Sequence, residues 1–167
     1  MNPVAFRTIQ IDGLSIFYRE AGAKNAQTLL LLHGLPSSSR MFETLFARLS
    51  DRYHLIAPDY PGFGHSDWPD PKKFAYTFDH FAEIMDHFTE ALRISRYTLY
   101  MQDYGGPVGF RMALAHPERV EALIVLPMSA HCAPISCRSR PRARDMSETI
   151  PTWSGTIPTS GPMSSVF

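Results

Sequence analysis

The stretch of this chain best suited to chemistry is Gln102-Asp103-Tyr104-Gly105-Gly106, an aspartate followed by an aromatic residue and two glycines. It lies between a strand-like run, Tyr97 to Gln102, and a helix-like run, Gly105 to His116. A chain that turns from strand to helix within about two residues pushes its apex residue into a strained, exposed position. Small residues after the apex let the helix pack closely on the strand, which is the reading of Gly105, Gly106 and Gly109. Pro107 suits the first turn of that helix. Asp103, at the apex, would face the positive end of the helix, which favours an ionised carboxylate. Such a carboxylate is a nucleophile towards an electrophilic carbon. The competing reading is an ordinary helix cap, and a second segment shifts the balance.

That segment is His33-Gly34-Leu35-Pro36, which leaves a strand and turns tightly. Gly34 permits close backbone approach, and Pro36 restricts Leu35 to an extended shape. The Leu35 backbone N–H is then free to face the nucleophile. With the Tyr104 N–H it would form a two-donor cradle for developing negative charge, an oxyanion hole. His33 reads as structural and not as a base. A third segment, Asp59 to Ser66, is a loop with two glycines and a proline. There Asp59 is expected to tie down backbone, and His65 to face solvent.

The elements that position these segments alternate regularly. Phe6 to Ile11 and Leu14 to Tyr18 flank Asp12-Gly13, a hairpin signal. Thr28 to Leu32 is continuously apolar, as a strand buried on both faces requires. Ser37 to Ser39 precede a helical pattern at Met41, Phe42, Leu45, Phe46 and Leu49. Tyr53 to Ala57 is strand-like. Thr77 opens a second helix with Phe78, Phe81, Met85, Phe88 and Leu92 on one face. After Tyr97 to Gln102 and its helix, Ala122 to Leu126 forms a last strand. The fold class is therefore α/β, a mainly parallel sheet with helices on both faces and an antiparallel N-terminal hairpin. In such sheets a ligand site lies beyond the carboxyl ends of the strands, where all three segments fall.

Composition sets outer limits. Apolar residues make up 44% and charged residues 19%, with Lys plus Arg equal to Asp plus Glu at 16 each. That balance gives no electrostatic reason to expect nucleic acid or an anionic membrane as partner. No apolar run, Leu29 to Leu32 included, is long enough for a bilayer span, and Met1 to Arg7 lacks the layout of a secretory signal. Cytoplasmic residence is the expectation. The chain changes character near residue 128. Of the last 40 residues 17 are Ser, Thr or Pro, against 22 of the first 127, and apolar periodicity stops. Residues 1–127 thus read as the ordered body and 128–167 as a poorly ordered tail. The Arg run at 138, 140, 142 and 144 reads as a solvated face.

The three segments, in this order and spacing, resemble the α/β-hydrolase superfamily over roughly residues 5 to 127. An aspartate in the setting of Gln102-Asp103-Tyr104-Gly105-Gly106 resembles the haloalkane dehalogenase and epoxide hydrolase branch, not the serine esterases. Met101, two residues before the aspartate, is similar to the bulky residue that branch allows. The resemblance implies a hydrolase whose Asp103 attacks a small epoxide or halogenated substrate to give an ester. A histidine then activates water, and the Leu35 and Tyr104 N–H groups hold the oxyanion. No metal or organic cofactor is implied, and the implied partner is a small-molecule substrate. Dehalogenases of this branch usually carry Asn at the position of Leu35 and Trp at that of Tyr104, whose side-chain N–H groups hold the leaving halide; neither donor is present here.

The family also places its base histidine, acid and cap later than the sixth strand. The tail supplies His131, Asp145 and Glu148 without a strand pattern to position them, and His54, His80, His87 and His116 fall on the wrong elements. The sequence therefore reads as the N-terminal part of a hydrolase core, with 128–167 as an altered or frame-shifted terminus. Two functional readings stand: a hydrolase, or a catalytically incomplete remnant or partner-binding module. A partial core is expected to self-associate through an uncovered sheet edge.

Overall fold

The computed structural model describes residues 2–126. The readings of 128–167, including its order, its origin and His131, lie outside the described residues.

The elements follow the sequence in order: β1 (Ala5–Ile11), β2 (Leu14–Ala21), β3 (Thr28–Leu32), α1 (Glu43–Leu49), β4 (His54–Pro58), α2 (Phe78–Ala91), β5 (Tyr97–Gln102), α3 (Gly105–Ala115) and β6 (Val120–Leu126). The six strands form one sheet in the order β1-β2-β4-β3-β5-β6. β1 and β2 pair antiparallel, as do β2 and β4, and the pairs β3–β4, β3–β5 and β5–β6 are parallel. The hairpin turns at Asp12-Gly13, whose φ values of 51° and 81° are both positive. This is the pattern of a type I′ turn, whose twist matches that of the flanking strands.

Period-2 alternation in β3 explains why it sits at the centre. Leu30 and Leu32 enter one core with Phe81, Met85 and Phe88 of α2 and Val108 and Met112 of α3. Leu29 and Leu31 enter a second core with Phe42, Phe46, Leu55 and Ala57. A strand clothed by helices on both faces has no polar side, hence the unbroken leucine run. The first helical segment begins as a 3-10 turn, Ser39–Phe42, before α1; Ser38 caps it by accepting from the Arg40 N–H. Thr77 caps α2, accepting the His80 N–H at 3.2 Å.

One boundary departs from the apolar pattern. The pattern of β2 stops at Tyr18, yet the strand runs on through Arg19 and Glu20 to Ala21, pairing with β4 from Pro58 back to Leu55. Both charged residues are buried, and both are partnered. Arg19 Nε donates to Ser39 Oγ at 3.2 Å. Glu20 meets Arg7 Nε at 2.7 Å and His54 Nε2 at 3.0 Å. Pairing removes most of the cost of burying charge, so tertiary contact overrides the sequence signal.

At the other end of the sheet, β6 has no partner on its outer edge among the described residues. Its Leu123, Ile124 and Val125 are exposed, as are Phe110 and Leu114 of α3.

The Glu20 cluster predicts acid sensitivity. Burial alone would raise the Glu20 pKa, but the hydrogen bond to His54 and the charges of Lys24, His54 and Arg7 outweigh it and hold the value below the usual 4.5. Because the folded-state value is depressed, the stabilisation is present above the unfolded value and is lost as pH falls through the folded one. Melting temperature followed below about pH 5 should fall less steeply for Glu20→Gln than for the parent. Parallel acid limbs would contradict the assignment.

Candidate active site

The carboxyl ends of β3 and β5 lie side by side, with Leu32 registered against Met101. The chain leaving β3 is His33-Gly34-Leu35-Pro36, and that leaving β5 is Asp103-Tyr104. Parallel pairing thus brings residues 68 positions apart into contact. Asp103 Oδ1 accepts the Leu35 N–H at 3.0 Å and the Tyr104 N–H at 2.7 Å. Its Oδ2 accepts no hydrogen bond among the described residues. Asp103 is half-buried and opens directly into α3, with Tyr104 at the N-cap.

Asp103 adopts φ 53°, in the left-handed region. A non-glycine residue there stores roughly 1–3 kcal/mol of strain. Hydrogen bonds to a charged group contribute roughly 1.5–3 kcal/mol each. The two N–H donors together therefore suffice to hold the bend, whereas one would only balance it.

Gly34 and Gly105 make the approach possible. A Cβ on Gly34 would lie 2.5 Å from Asp103 Cβ, and one on Gly105 would lie 2.2 Å from the Leu32 carbonyl oxygen. Gly109 faces the Met101 side chain, whose sulfur would be 2.2 Å from an added Cβ. Gly106 corrects the sequence expectation of close packing at both elbow glycines. A Cβ there would meet nothing within 4 Å. Gly106 lies one residue further into the helix and, though buried, has open space where a Cβ would stand.

His33 is fully buried and locks the peptide that carries the first donor. Its Nε2 accepts the Tyr60 N–H at 3.3 Å, so the proton must reside on Nδ1, 3.0 Å from the Gly34 carbonyl oxygen. That carbonyl and the Leu35 N–H belong to one peptide plane, so fixing one aims the other at Asp103. Burial pushes the His33 pKa down, against the pull of the Gly34 carbonyl and Asp59, consistent with a neutral ring. The Leu35-Pro36 peptide is cis. Sequence reasoning treated His33 as structural but missed this aiming function, because a histidine after a strand carries no pattern that reveals its hydrogen bonds.

Asp59 organises the loops behind the site. Fully buried, it accepts the Ser39 N–H at 2.6 Å on Oδ1 and the His65 N–H at 2.9 Å on Oδ2. His65 itself is exposed, its ring 4.9 Å from that of Phe17. Gln102 ends β5, half-buried, and Tyr104 meets Phe78 edge-on with ring centroids 5.0 Å apart. The contact with Phe78, on α2, had no signal in the sequence beyond helix periodicity.

Among the described histidines none hydrogen-bonds Asp103. His54 lies at the opposite sheet edge, where it meets Glu20. His80 meets the Ala75 carbonyl, and His87 meets Asp12. His116 sits beside Glu118 at the far end of α3. Among the described residues there is no cluster of three or more potential metal ligands, and no helix is long and apolar enough to cross a membrane.

Comparison with known proteins agrees with this architecture. The profile of the α/β hydrolase fold family matches residues 27–142. The uncharacterized hydrolase YNR064C of Saccharomyces cerevisiae is 45% identical over 120 residues, covering 71% of this chain and 41% of that protein. A haloalkane dehalogenase of Bradyrhizobium diazoefficiens is 36% identical over 120 residues, covering 72% of this chain and 38% of that protein. The crystal structure of haloalkane dehalogenase DbeA from Bradyrhizobium elkani superposes with a TM-score of 0.69 at 31% identity, covering 74% of this chain and 41% of DbeA. The chain belongs to the α/β hydrolase fold family, and its relatives include haloalkane dehalogenases. It spans about two fifths of the length of these curated relatives.

Alanine at the two adjacent elbow glycines should separate close packing from helix formation. Gly105→Ala is expected to cost roughly 1–3 kcal/mol or more, because the clashing atom is backbone that cannot rotate away. Gly106→Ala is expected to be neutral or to stabilise by up to about 1 kcal/mol, since alanine favours helix. Urea denaturation midpoints of the two variants measure the difference, and equal destabilisation would contradict the geometry.

Proposed function

We propose that this chain acts as a hydrolase on small epoxides or halogenated compounds, through an ester formed on Asp103. The observation that carries the reading is the asymmetry of the carboxylate, with Oδ1 held by two backbone N–H groups and Oδ2 unbonded among the described residues. Oδ2 attacks the electrophilic carbon, and the carbon–halogen or epoxide carbon–oxygen bond breaks. The leaving group departs as halide, or as an alkoxide that takes up a proton. Oδ1 becomes the ester carbonyl oxygen without leaving its cradle. When water adds to that carbonyl, negative charge develops on the atom already facing both donors. Release of alcohol or diol regenerates Asp103.

Two features shape the substrate preference. The side chains of Leu35 and Tyr104 offer no N–H to a departing halide. This favours epoxides, whose leaving oxygen stays attached to the substrate. Among the described residues no histidine hydrogen-bonds Asp103, which supports the second reading, a catalytically incomplete remnant; halfway between the two readings, such a site forms the ester and stalls. We also propose that a second copy of the chain pairs with the outer edge of β6. Antiparallel pairing of two β6 strands would satisfy both edges at once and bury Leu123 to Val125.

Two measurements test these proposals. Intact-protein and peptide mass spectrometry after incubation with styrene oxide and 1-bromobutane should show a covalent increment on Asp103, or free diol or alcohol if the ester turns over. Asp103→Asn should give neither. Absence of both adduct and product in the parent, or equal product from the variant, would refute the nucleophile. In sedimentation velocity, a concentration-dependent dimer is expected, and a monomer at all concentrations would rule out the edge pairing.

A further inference from the structure

A cavity of about 700 Å³ lies at the sheet edge opposite Asp103, where β3, β4 and β5 begin. Its volume is within the range of small-molecule sites. The length of β3 separates it from the elbow, roughly 16 Å at ~3.3 Å per residue. The floor is a buried polar chain. Thr28 Oγ1 lies 3.2 Å from His54 Nδ1, and His54 Nε2 lies 3.0 Å from Glu20 Oε1.

The charge of the lining is unbalanced although the whole chain has zero formal net charge. Four cations line it, Arg7, Lys24, Arg93 and Arg96, against two carboxylates, Glu20 and Glu121. Both carboxylates are already engaged. Glu20 meets Arg7 at 2.7 Å and Lys24 at 3.8 Å. Glu121 meets Arg96 at 3.5 Å and accepts from Gln27 Nε2 at 3.2 Å. Arg93 has no carboxylate partner among the described residues. A concave surface with excess positive charge concentrates anions.

Arg93 is also held where a glycine would fit better. α2 ends in a Schellman arrangement, with the Ile94 N–H donating to the Thr89 carbonyl at 2.9 Å and the Arg93 N–H to the Glu90 carbonyl at 2.8 Å. The residue at this position must adopt a left-handed conformation, and Arg93 does so with φ 58°. Glycine is the usual occupant because it has no side chain to strain. The chain instead accepts strain at a residue that lines the cavity, the pattern expected where a side chain serves binding at the expense of stability.

We propose that this cavity binds a small oxyanion, a phosphate or carboxylate group, with Arg93 as the principal donor and Lys24 and Arg96 at its rim. The planar guanidinium can grip two oxygens of either group. The site is independent of the chemistry at Asp103.

The test is a titration of the ¹⁵N-labelled full chain with sodium phosphate and, separately, sodium succinate, each against sodium chloride at matched ionic strength. Saturable shifts are expected at the amides of Asn25, Gln27 and Arg93 to Arg96, with Gly34 and Asp103 unmoved. The anion giving the tighter saturation identifies the group preferred. Arg93→Gly is the decisive variant, because relief of backbone strain should raise its melting temperature while its affinity falls at least about five-fold, the loss of ~1 kcal/mol expected for one charge-assisted contact. Shifts reproduced by sodium chloride, or an unaltered affinity in Arg93→Gly, would overturn the proposal.

Discussion

One carboxylate oxygen shared between two peptide N–H groups from different strands is the interaction on which this site depends. Asp103 Oδ1 joins the chain leaving β3 to the chain leaving β5. Neither partner holds its position alone. The left-handed bend at Asp103 is costly unless both donors reach it, and Leu35 reaches it only because Gly34 has no side chain. The interaction therefore imposes demands outwards. β3 and β5 must be parallel neighbours in a fixed register, Gly105 must lie against the Leu32 carbonyl, and the Gly34–Leu35 peptide must face one way. His33 meets the last demand from a buried position behind the site.

The two ends of the sheet are built differently. At the carboxyl ends, two acids, Asp103 and Asp59, are positioned by main-chain N–H groups. At the amino ends, charge is dense, and Glu20, His54, Arg7 and Lys24 form a network between strands and loop. Backbone donors cost no reorganisation when charge moves, which suits a reacting group. A side-chain network is sensitive to pH and to added ions, which suits structural ties and binding. This division follows from topology, since parallel strands deliver loops of one kind to each edge.

Much of this was legible in the sequence, and the reasons differ by element. The leucines of β3 and the aspartate-glycine hairpin are governed by local rules, and each falls where those rules put it. The elbow was legible because strand, apex and glycine-rich helix start are contiguous. The extension of β2 through Arg19 and Glu20 was not, because their partners Ser39, Arg7 and His54 are distant in sequence. Gly105 and Gly106 look alike in sequence, yet only Gly105 lies against the Leu32 carbonyl. The locking function of His33 depended on where Tyr60 arrives, and no spacing rule encodes that.

The shared oxygen can be observed directly in solution. In ¹H–¹⁵N spectra, the amide protons of Leu35 and Tyr104 should both resonate downfield, and both should move upfield in Asp103→Ala. A joint shift of the two is the result this account predicts. Movement of Tyr104 alone, with Leu35 unchanged, would mean that the two loops do not meet at the carboxylate and would contradict it.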